Sequence, residues 1–129
     1  MESMQDRTAL LIGDRAVAQL SKAHVMVVGL GGVGGMAAEA LCRSGIGRLT
    51  LVDGDYVAVS NLNRQLVAVR GTIGQPKALA MKNRLEEISP EIYITAEDND
   101  FTEHTAEKLL SLQPDFIIDA IDSMADKLC

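Results

Sequence analysis

A glycine-rich turn near the start of the chain has the residue types and spacing that bind phosphate. Gly29, Gly31 and Gly34 follow an apolar run at 25–28 and open a segment with helical periodicity. The first glycine permits a tight turn, the second lets the backbone approach a phosphate, and the third lets a helix pack closely on a strand. Backbone N–H groups at the start of that helix then face the anion. The pattern predicts a nucleotide site, and the alternative is that the glycines serve packing only.

A carboxylate follows the second apolar run at the spacing expected for a ribose contact. Asp53 comes 24 residues after Gly29 and directly follows the run at 49–52. In dinucleotide-binding folds, an acidic residue at this place accepts hydrogen bonds from ribose hydroxyls. The alternative is a solvated aspartate at the end of a strand. A nicotinamide dehydrogenase would show the same two features, so they predict a nucleotide without saying which one.

Two cations distinguish phosphate transfer from hydride transfer. Asn61 and Arg64 lie in a polar loop after the second run, and Lys77 opens the next predicted helix. Arg64 can donate two hydrogen bonds to phosphate oxygens, and Lys77 can place a point charge beside them. An enzyme that breaks the α–β phosphate bond must offset charge on the leaving pyrophosphate, which a dehydrogenase never releases. Each cation alone is more often solvated, but together they favour ATP over NAD.

Acidic residues follow the fourth apolar run. Asp119 and Asp122 lie where that run ends. The carboxyl ends of parallel strands line the ligand crevice, so we expect Asp122 to hold a magnesium ion that bridges phosphates. Asp119 is expected to orient the chain locally.

Four short apolar runs, each followed by a helical pattern, must position these residues. Strands are predicted at 25–28, 49–52, 92–95 and 116–118, and a further helix precedes them at 13–23. This alternation predicts an α/β fold, a Rossmann-like parallel sheet with helices on both faces. A complete domain of this kind has about six strands. We therefore interpret residues 13–129 as the first half of a nucleotide-binding domain and residues 1–12 as an N-terminal arm.

The predicted helices are assigned by the periodicity of their apolar residues. Met81, Leu85 and Ile88 recur at i, i+4, i+7 spacing in one of them, and the last covers about 106–112. The helix after the glycine turn has one apolar face, formed by Val33, Met36, Ala37, Ala40 and Leu41.

Composition and charge fit one soluble domain. The chain has 129 residues, of which 47% are hydrophobic and 23% are charged. A net charge of −6 disfavours non-specific nucleic-acid binding but leaves room for one local cationic pocket. The apolar stretches are too short to span a bilayer. Cys42 and Cys129 show neither pairing nor metal-ligand spacing, and the cytoplasm is the expected compartment.

Two segments together resemble a known enzyme family. The segments GLGGVGGMAAEALCRSGIGRLTLVDGDYVAVSNLNRQ and TIGQPKA are similar to the ThiF/MoeB/HesA adenylating family, relatives of the ubiquitin-activating enzymes. The resemblance covers essentially the whole chain. It implies an ATP- and magnesium-dependent enzyme with these site residues: Gly31 beside the nucleotide, Asp53 on ribose, Asn61, Arg64 and Lys77 around the phosphates, and Asp122 at the magnesium ion.

The resemblance also implies assembly and a substrate class. Arg7 matches an arginine that family dimers insert into the partner's active site, which implies a homodimer. The segments 7–13 and 119–123 most resemble the branch that dehydrates threonylcarbamoyladenosine in tRNA. That branch activates a carboxylate with ATP, and the product cyclises with net loss of water. The alternatives are adenylation of the C-terminal glycine of a ubiquitin-like sulfur carrier, and a fragment that binds nucleotide without catalysis.

Overall fold

The computed structural model describes residues 14–121. Four strands alternate with helices, as the apolar runs predict, and the α/β fold class is confirmed. Two short 3₁₀ turns, at Val59–Asn61 and Arg70–Thr72, lie in the loop after the second strand. The strands are β1 (His24–Val28), β2 (Arg48–Val52), β3 (Tyr93–Glu97) and β4 (Phe116–Asp119), and the helices are α1 (Asp14–Leu20), α2 (Gly32–Ser44), α3 (Lys77–Ile88) and α4 (Ala106–Leu110).

The strands form one parallel sheet in the order β3-β2-β1-β4. The chain moves outward from β1 to β3 and then crosses back to place β4 on the other side of β1. The strand order therefore reverses between β1 and β4. In open parallel sheets, ligands bind outside the carboxyl ends of the strands at such a switch point.

The core lies on both faces of the sheet because neighbouring residues of a strand point to opposite sides. On one face, Val25 and Val27 of β1 belong to a cluster that includes Met81 and Leu85 of α3. On the other face, Met26 and Val28 pack in a second cluster with Leu109 of α4. All five residues of β1 are buried as a result. No helix within residues 14–121 is long and apolar enough to cross a membrane.

The packing face of α2 differs from its predicted apolar face. Gly34, Gly35, Ala38 and Cys42 are the buried residues of this helix. Val33 and Met36, which head the predicted face, are 68% and 62% exposed. The helix packs so close to the turn after β1 that only glycine fits at position 34. This close contact determines which face of α2 is turned towards the sheet. The prediction was wrong for these two side chains and for Ala40, which is also exposed.

Candidate functional site

A cavity of about 270 Å³ lies at the carboxyl ends of the strands. The segments that follow all four strands contribute to it, as the switch point predicts. Its lining combines the glycine turn with polar and apolar residues. The lining includes Gly29, Gly31, Asp53, Gln65, Lys77 and Ala120.

The glycine turn has the geometry that its spacing predicts. Gly29 has φ +92°, in the left-handed region that favours glycine, and a Cβ there would lie 2.8 Å from the carbonyl oxygen of Ala120. A Cβ on Gly34 would lie 1.7 Å from the carbonyl oxygen of Gly29, so no side chain fits. Gly31 is the N-cap residue of α2 and lines the cavity. The turn and packing roles predicted for Gly29 and Gly34 are confirmed.

Asp53 links the glycine turn to the loop after β2. Its Oδ2 accepts a hydrogen bond from the N–H of Leu30 at 2.7 Å, and its Oδ1 accepts one from the N–H of Asp55 at 2.8 Å. Burial raises the pKa of Asp53, while the two N–H donors and the charge of Lys77 act in the opposite direction. Each carboxylate oxygen can accept more than one hydrogen bond. Asp53 is therefore placed to accept a ligand hydroxyl as well, and its ribose contact stays a prediction.

Lys77 is the one cation among the residues that line the cavity. It is the first residue of α3, is 7% exposed, and donates its backbone N–H to the carbonyl oxygen of Asp55 at 2.9 Å. Its ammonium forms none of the ion pairs found between residues 14 and 121. The carboxylate of Asp53 is near enough to interact with the charge of Lys77, but no ion pair joins the two. A buried ammonium without a direct ion pair favours an anion in the cavity.

Arg64 and Asn61 lie beside the cavity rather than in its lining. The exposed Arg64 donates from Nη1 to the carbonyl oxygen of Ser60 at 2.8 Å and to Oδ1 of Asn63 at 3.2 Å. The buried Asn61 accepts a hydrogen bond at Oδ1 from the N–H of Ala58 at 2.8 Å, which holds the 3₁₀ turn. The structure thus gives Asn61 a loop-shaping contact and leaves Arg64 at the surface. Their phosphate contacts stay predictions.

Two polar residues of the cavity have no role in the sequence-based site. Gln65 lines the cavity and is 8% exposed. Its only signal in the sequence is its place at the end of the SNLNRQ motif. Asp100 accepts a hydrogen bond at Oδ1 from the N–H of Gly54 at 3.1 Å, which ties the loop after β3 to the loop after β2. Gly54 and Asp100 are 46 positions apart in the sequence, so no local sequence pattern predicts this hydrogen bond.

The predicted magnesium ligand and the predicted dimer arginine both fall outside the described residues. Asp122 and Arg7 lie beyond the range 14–121 at its two ends. Between those limits, no group of three or more His, Cys, Asp or Glu side chains could hold a metal ion. Both oxygens of Asp53 already accept backbone hydrogen bonds. The described residues do not form a magnesium site by themselves, and that prediction depends on Asp122.

The order of the strands, the glycine turn and the cavity at the switch point define a Rossmann-like domain of the nucleotide-binding type. Comparison with protein families then identifies the particular family. The ThiF family matches residues 5–129, and the chain belongs to it. The family resemblance read from the glycine, SNLNRQ and GQPK segments is confirmed.

The most similar relatives include enzymes that modify tRNA. The chain is 45% identical over 120 residues to the tRNA threonylcarbamoyladenosine dehydratase of Escherichia coli (strain K12), which covers 93% of this chain and 45% of that protein. The Bacillus subtilis (strain 168) dehydratase is 45% identical over 122 residues, 95% of this chain and 48% of that protein. The E. coli molybdopterin-synthase adenylyltransferase is 38% identical over 106 residues, 82% and 42% of the two chains. The chain spans about half the length of the relatives it matches.

Solved structures give the same result. The crystal structure of the E. coli dehydratase, TcdA, in complex with ATP has a TM-score of 0.92 and 44% identity, and the match covers 96% of this chain and 51% of that one. A second TcdA crystal structure has a TM-score of 0.90 and 44% identity, covering 93% and 50%. The predicted Rossmann-like fold and the similarity to the dehydratase branch are confirmed.

Proposed function

We propose that this chain is the nucleotide-binding part of an enzyme that uses ATP to adenylate a carboxylate, in the cyclising dehydration of tRNA threonylcarbamoyladenosine. The observation on which the proposal depends is the buried Lys77, which has no ion pair in the described part of the chain and faces the same cavity as the glycine turn. An unpaired cation beside a helix N-terminus suits a polyphosphate better than a neutral ligand. The similarity to TcdA, solved in complex with ATP, supports ATP as the nucleotide.

The first chemical step transfers AMP to the acceptor. A carboxylate oxygen attacks the α-phosphorus, the bond from the α-phosphorus to the bridging oxygen breaks, and pyrophosphate leaves with the bonding electrons. Negative charge grows on the leaving group, and the ammonium of Lys77 offsets it. The backbone N–H groups around Gly31, at the start of α2, orient the phosphates.

The second step closes the ring. A nucleophile within the modified adenosine attacks the activated carbonyl carbon, and AMP leaves with one oxygen of the original carboxylate. The sum is loss of water from the acceptor, with that water taken up in the conversion of ATP to AMP and pyrophosphate. The described residues build only the nucleotide side of this reaction, so the acceptor side belongs to the proposal for the whole protein.

Three further parts of the proposal depend on the family resemblance. They are a magnesium ion at Asp122, a homodimer in which Arg7 reaches the neighbouring subunit's site, and phosphate contacts from Asn61 and Arg64. The tRNA substrate of the relatives also supports a cytoplasmic location.

A second acceptor is a ubiquitin-like sulfur-carrier protein. The 38% identity to the molybdopterin-synthase adenylyltransferase over 106 residues favours it. The first chemical step would be the same, with the C-terminal glycine of the carrier as the attacking carboxylate. Pyrophosphate exchange distinguishes the two, because label enters ATP only when an acceptor carboxylate is adenylated reversibly. We expect exchange with tRNA that contains threonylcarbamoyladenosine, and exchange only with the carrier protein would reverse the assignment.

Nucleotide choice is the first test of the proposal. In a thermal melt of the chain, ATP with magnesium should raise the melting temperature, because a ligand that binds the native state stabilises it by mass action. NAD at equal concentration should leave it unchanged. A larger shift with NAD would overturn the adenylation proposal. If neither nucleotide shifts the melt, this chain does not bind nucleotide by itself, and the proposal fails for it.

A further inference from the structure

The outer face of α2 is apolar and uncovered. Val33, Met36 and Ala40 are exposed and recur at i, i+3, i+7 spacing, so they form one stripe along the helix, called the outer stripe below. The buried inner face of α2 consists of glycines and small apolar residues. A helix that is apolar on both sides is normally buried in a larger assembly, because leaving such a surface in water costs free energy.

The charges of α2 favour a protein partner over a lipid surface. The helix has two charged residues, Glu39 and Arg43, and they form an ion pair with each other at 3.4 Å. Amphipathic helices that bind lipid carry several Lys or Arg residues beside their apolar face. Because α2 lacks that basic flank, the outer stripe suits an apolar protein segment.

The chain contains such a segment outside the described residues. Residues 9–12 are Ala-Leu-Leu-Ile, and they come shortly before α1. The helix α1 makes no extensive contact with any other helix or strand, and none of residues 15–20 is buried. The part of the fold nearest to residues 9–12 in sequence is therefore itself poorly covered. A run of four apolar residues is costly to leave in water, so it needs another surface.

The position of the outer stripe beside the cavity indicates whose segment it binds. Gly31 lines the cavity, and Val33 and Met36 follow it along the helix axis at roughly 3 and 8 Å. Arg7, which the proposed dimer brings to the neighbouring subunit's cavity, precedes residues 9–12 by two positions, a reach of roughly 7 Å. The two spacings match. A subunit that places Arg7 at its neighbour's cavity therefore also brings residues 9–12 to its neighbour's α2.

We infer that residues 9–12 of one subunit dock on the outer stripe of α2 in a second copy of this chain. Two-fold symmetry makes the contact reciprocal, so that each subunit gives its segment and receives the other. The inference rests on the homodimer of the proposed function, and it names the surface through which that dimer forms. The helix whose N-terminus faces the phosphates is then also the helix that the neighbouring subunit covers.

Sedimentation equilibrium of the whole chain without nucleotide measures the dimer. Met36→Glu should raise the dissociation constant of the dimer about tenfold or more, because the contact would remove the new charge from water. Leu110→Glu is the matched control. Leu110 is 46% exposed and ends α4, the helix that packs on the other face of the sheet. Its variant should change the dissociation constant by less than about twofold.

Disulfide cross-linking identifies the docked segment. Subunits with Met36→Cys are mixed with subunits that carry Leu10→Cys or Leu11→Cys. All subunits carry Cys129→Ser, so the only other cysteine is the buried Cys42. Both leucines are tested because neighbouring side chains point in different directions. At least one mixture should yield a covalent dimer of the two different subunits under mild oxidation, and Leu110→Cys in place of Met36→Cys should yield none.

Four results contradict the inference. The outer stripe is not the interface if Met36→Glu weakens the dimer no more than Leu110→Glu does. Failure of both leucine positions to cross-link with Met36→Cys would mean that another segment docks there. A double variant with both cysteines in one chain that closes into a cross-linked monomer would show that each segment covers its own α2. A parent chain that is a monomer also overturns the inference, but the adenylation proposal stands if ATP still raises the melting temperature.

Discussion

The two ends of the sheet hold buried polar side chains in opposite ways. At the amino end, Nε2 of His24 and Oγ1 of Thr50 lie 2.7 Å apart, and the N–H of His24 donates to Oδ2 of Asp115 at 2.8 Å. At the carboxyl end, Lys77 lacks an ion pair and Oε1 of Gln65 lacks a donor in the described part of the chain. The contacts of His24 close the amino end, whereas Lys77 and Gln65 at the carboxyl end lack such partners among the described residues, although Asp53 beside them is hydrogen-bonded.

Arg48 is an instructive exception at the amino end. Its Nε is buried and has no hydrogen bond to the residues that the structure describes. Its guanidinium carbon, however, lies 4.9 Å from the centre of the Tyr93 ring, a distance at which the ring attracts a cation. Arg48 therefore interacts with an aromatic face, and it is not among the residues that line the cavity at the carboxyl end. Lack of a hydrogen bond indicates a ligand site only where the side chain also lines a cavity.

The largest expected effect tests whether the carboxyl end tolerates any added volume. Gly34→Ala should destabilise the fold by about 3 kcal/mol or more, because its Cβ would meet the carbonyl oxygen of Gly29 at 1.7 Å and backbone must move. Denaturant unfolding measures the change. Gly35→Ala is the matched control in the same helix, since its Cβ would lie 3.6 Å from the carbonyl oxygen of Leu30, an ordinary contact. It should be neutral or stabilising by about 0.5–1 kcal/mol. Similar losses for both variants would show that α2 does not depend on close approach at Gly34.

A smaller effect tests whether Lys77 binds a ligand. Lys77→Ala should weaken ATP by about 1.5–3 kcal/mol and AMP much less, because its ammonium is placed for the phosphates beyond the first. Calorimetry with both nucleotides measures this. Lys82→Ala, on the same helix but outside the cavity lining, should change neither affinity. Equal losses of affinity for ATP and AMP would show that Lys77 does not contact the outer phosphates. The difference between the two ends of the sheet would then be much smaller.

The smallest effect concerns the closed end and its response to acid. Burial, with help from the charge of Arg48, lowers the pKa of His24 below its ordinary value of 6.5. The unfolded chain therefore binds more protons than the folded chain between the lowered pKa and 6.5. The contribution of His24 to stability is fully present above pH 6.5 and is lost as the pH falls through the folded pKa.

Unfolding free energies across this pH range provide the measurement. His24→Gln should cost about 1 kcal/mol at pH 7.5 and should remove the part of the acid sensitivity that belongs to His24. His104 is exposed, and His104→Gln is the control that should leave the pH profile unchanged. An unaltered pH profile in the His24 variant would mean that the imidazole can be protonated in place, and that the amino end is less closed than its geometry indicates.

Much of this architecture could be predicted because its signals are local. Each predicted strand overlaps an observed one. Short apolar runs between helical patterns are typical of buried parallel strands in a small α/β domain. The roles of Gly29 and Gly34 also follow from spacing alone. The packing face of α2 could not be predicted from apolar content, because at Val33 and Met36 the close approach of two backbones outweighed the burial of side chains.

The polar details of the site were the hardest part to predict. Asn61 and Arg64 are the right residue types for phosphate, yet their hydrogen bonds to Ala58 and Ser60 depend on how the loop turns. The bond between Asp100 and Gly54 joins loops far apart in sequence. The lack of a hydrogen-bond donor for Oε1 of Gln65 depends on how the loops fold together, and it cannot be predicted from the sequence.

The order of the strands also determines when the site forms as the chain is synthesised. β1 pairs with β2 soon after both leave the ribosome, but its other edge pairs with β4, and the contact between His24 and Asp115 spans 91 positions. At about 5–20 residues per second, that edge stays open for about 5–20 seconds. Ala120 follows β4 and forms one wall of the cavity against Gly29. The cavity is therefore complete only after β4 has docked, and until then the edge of β1 presents unpaired backbone groups that another strand could pair with.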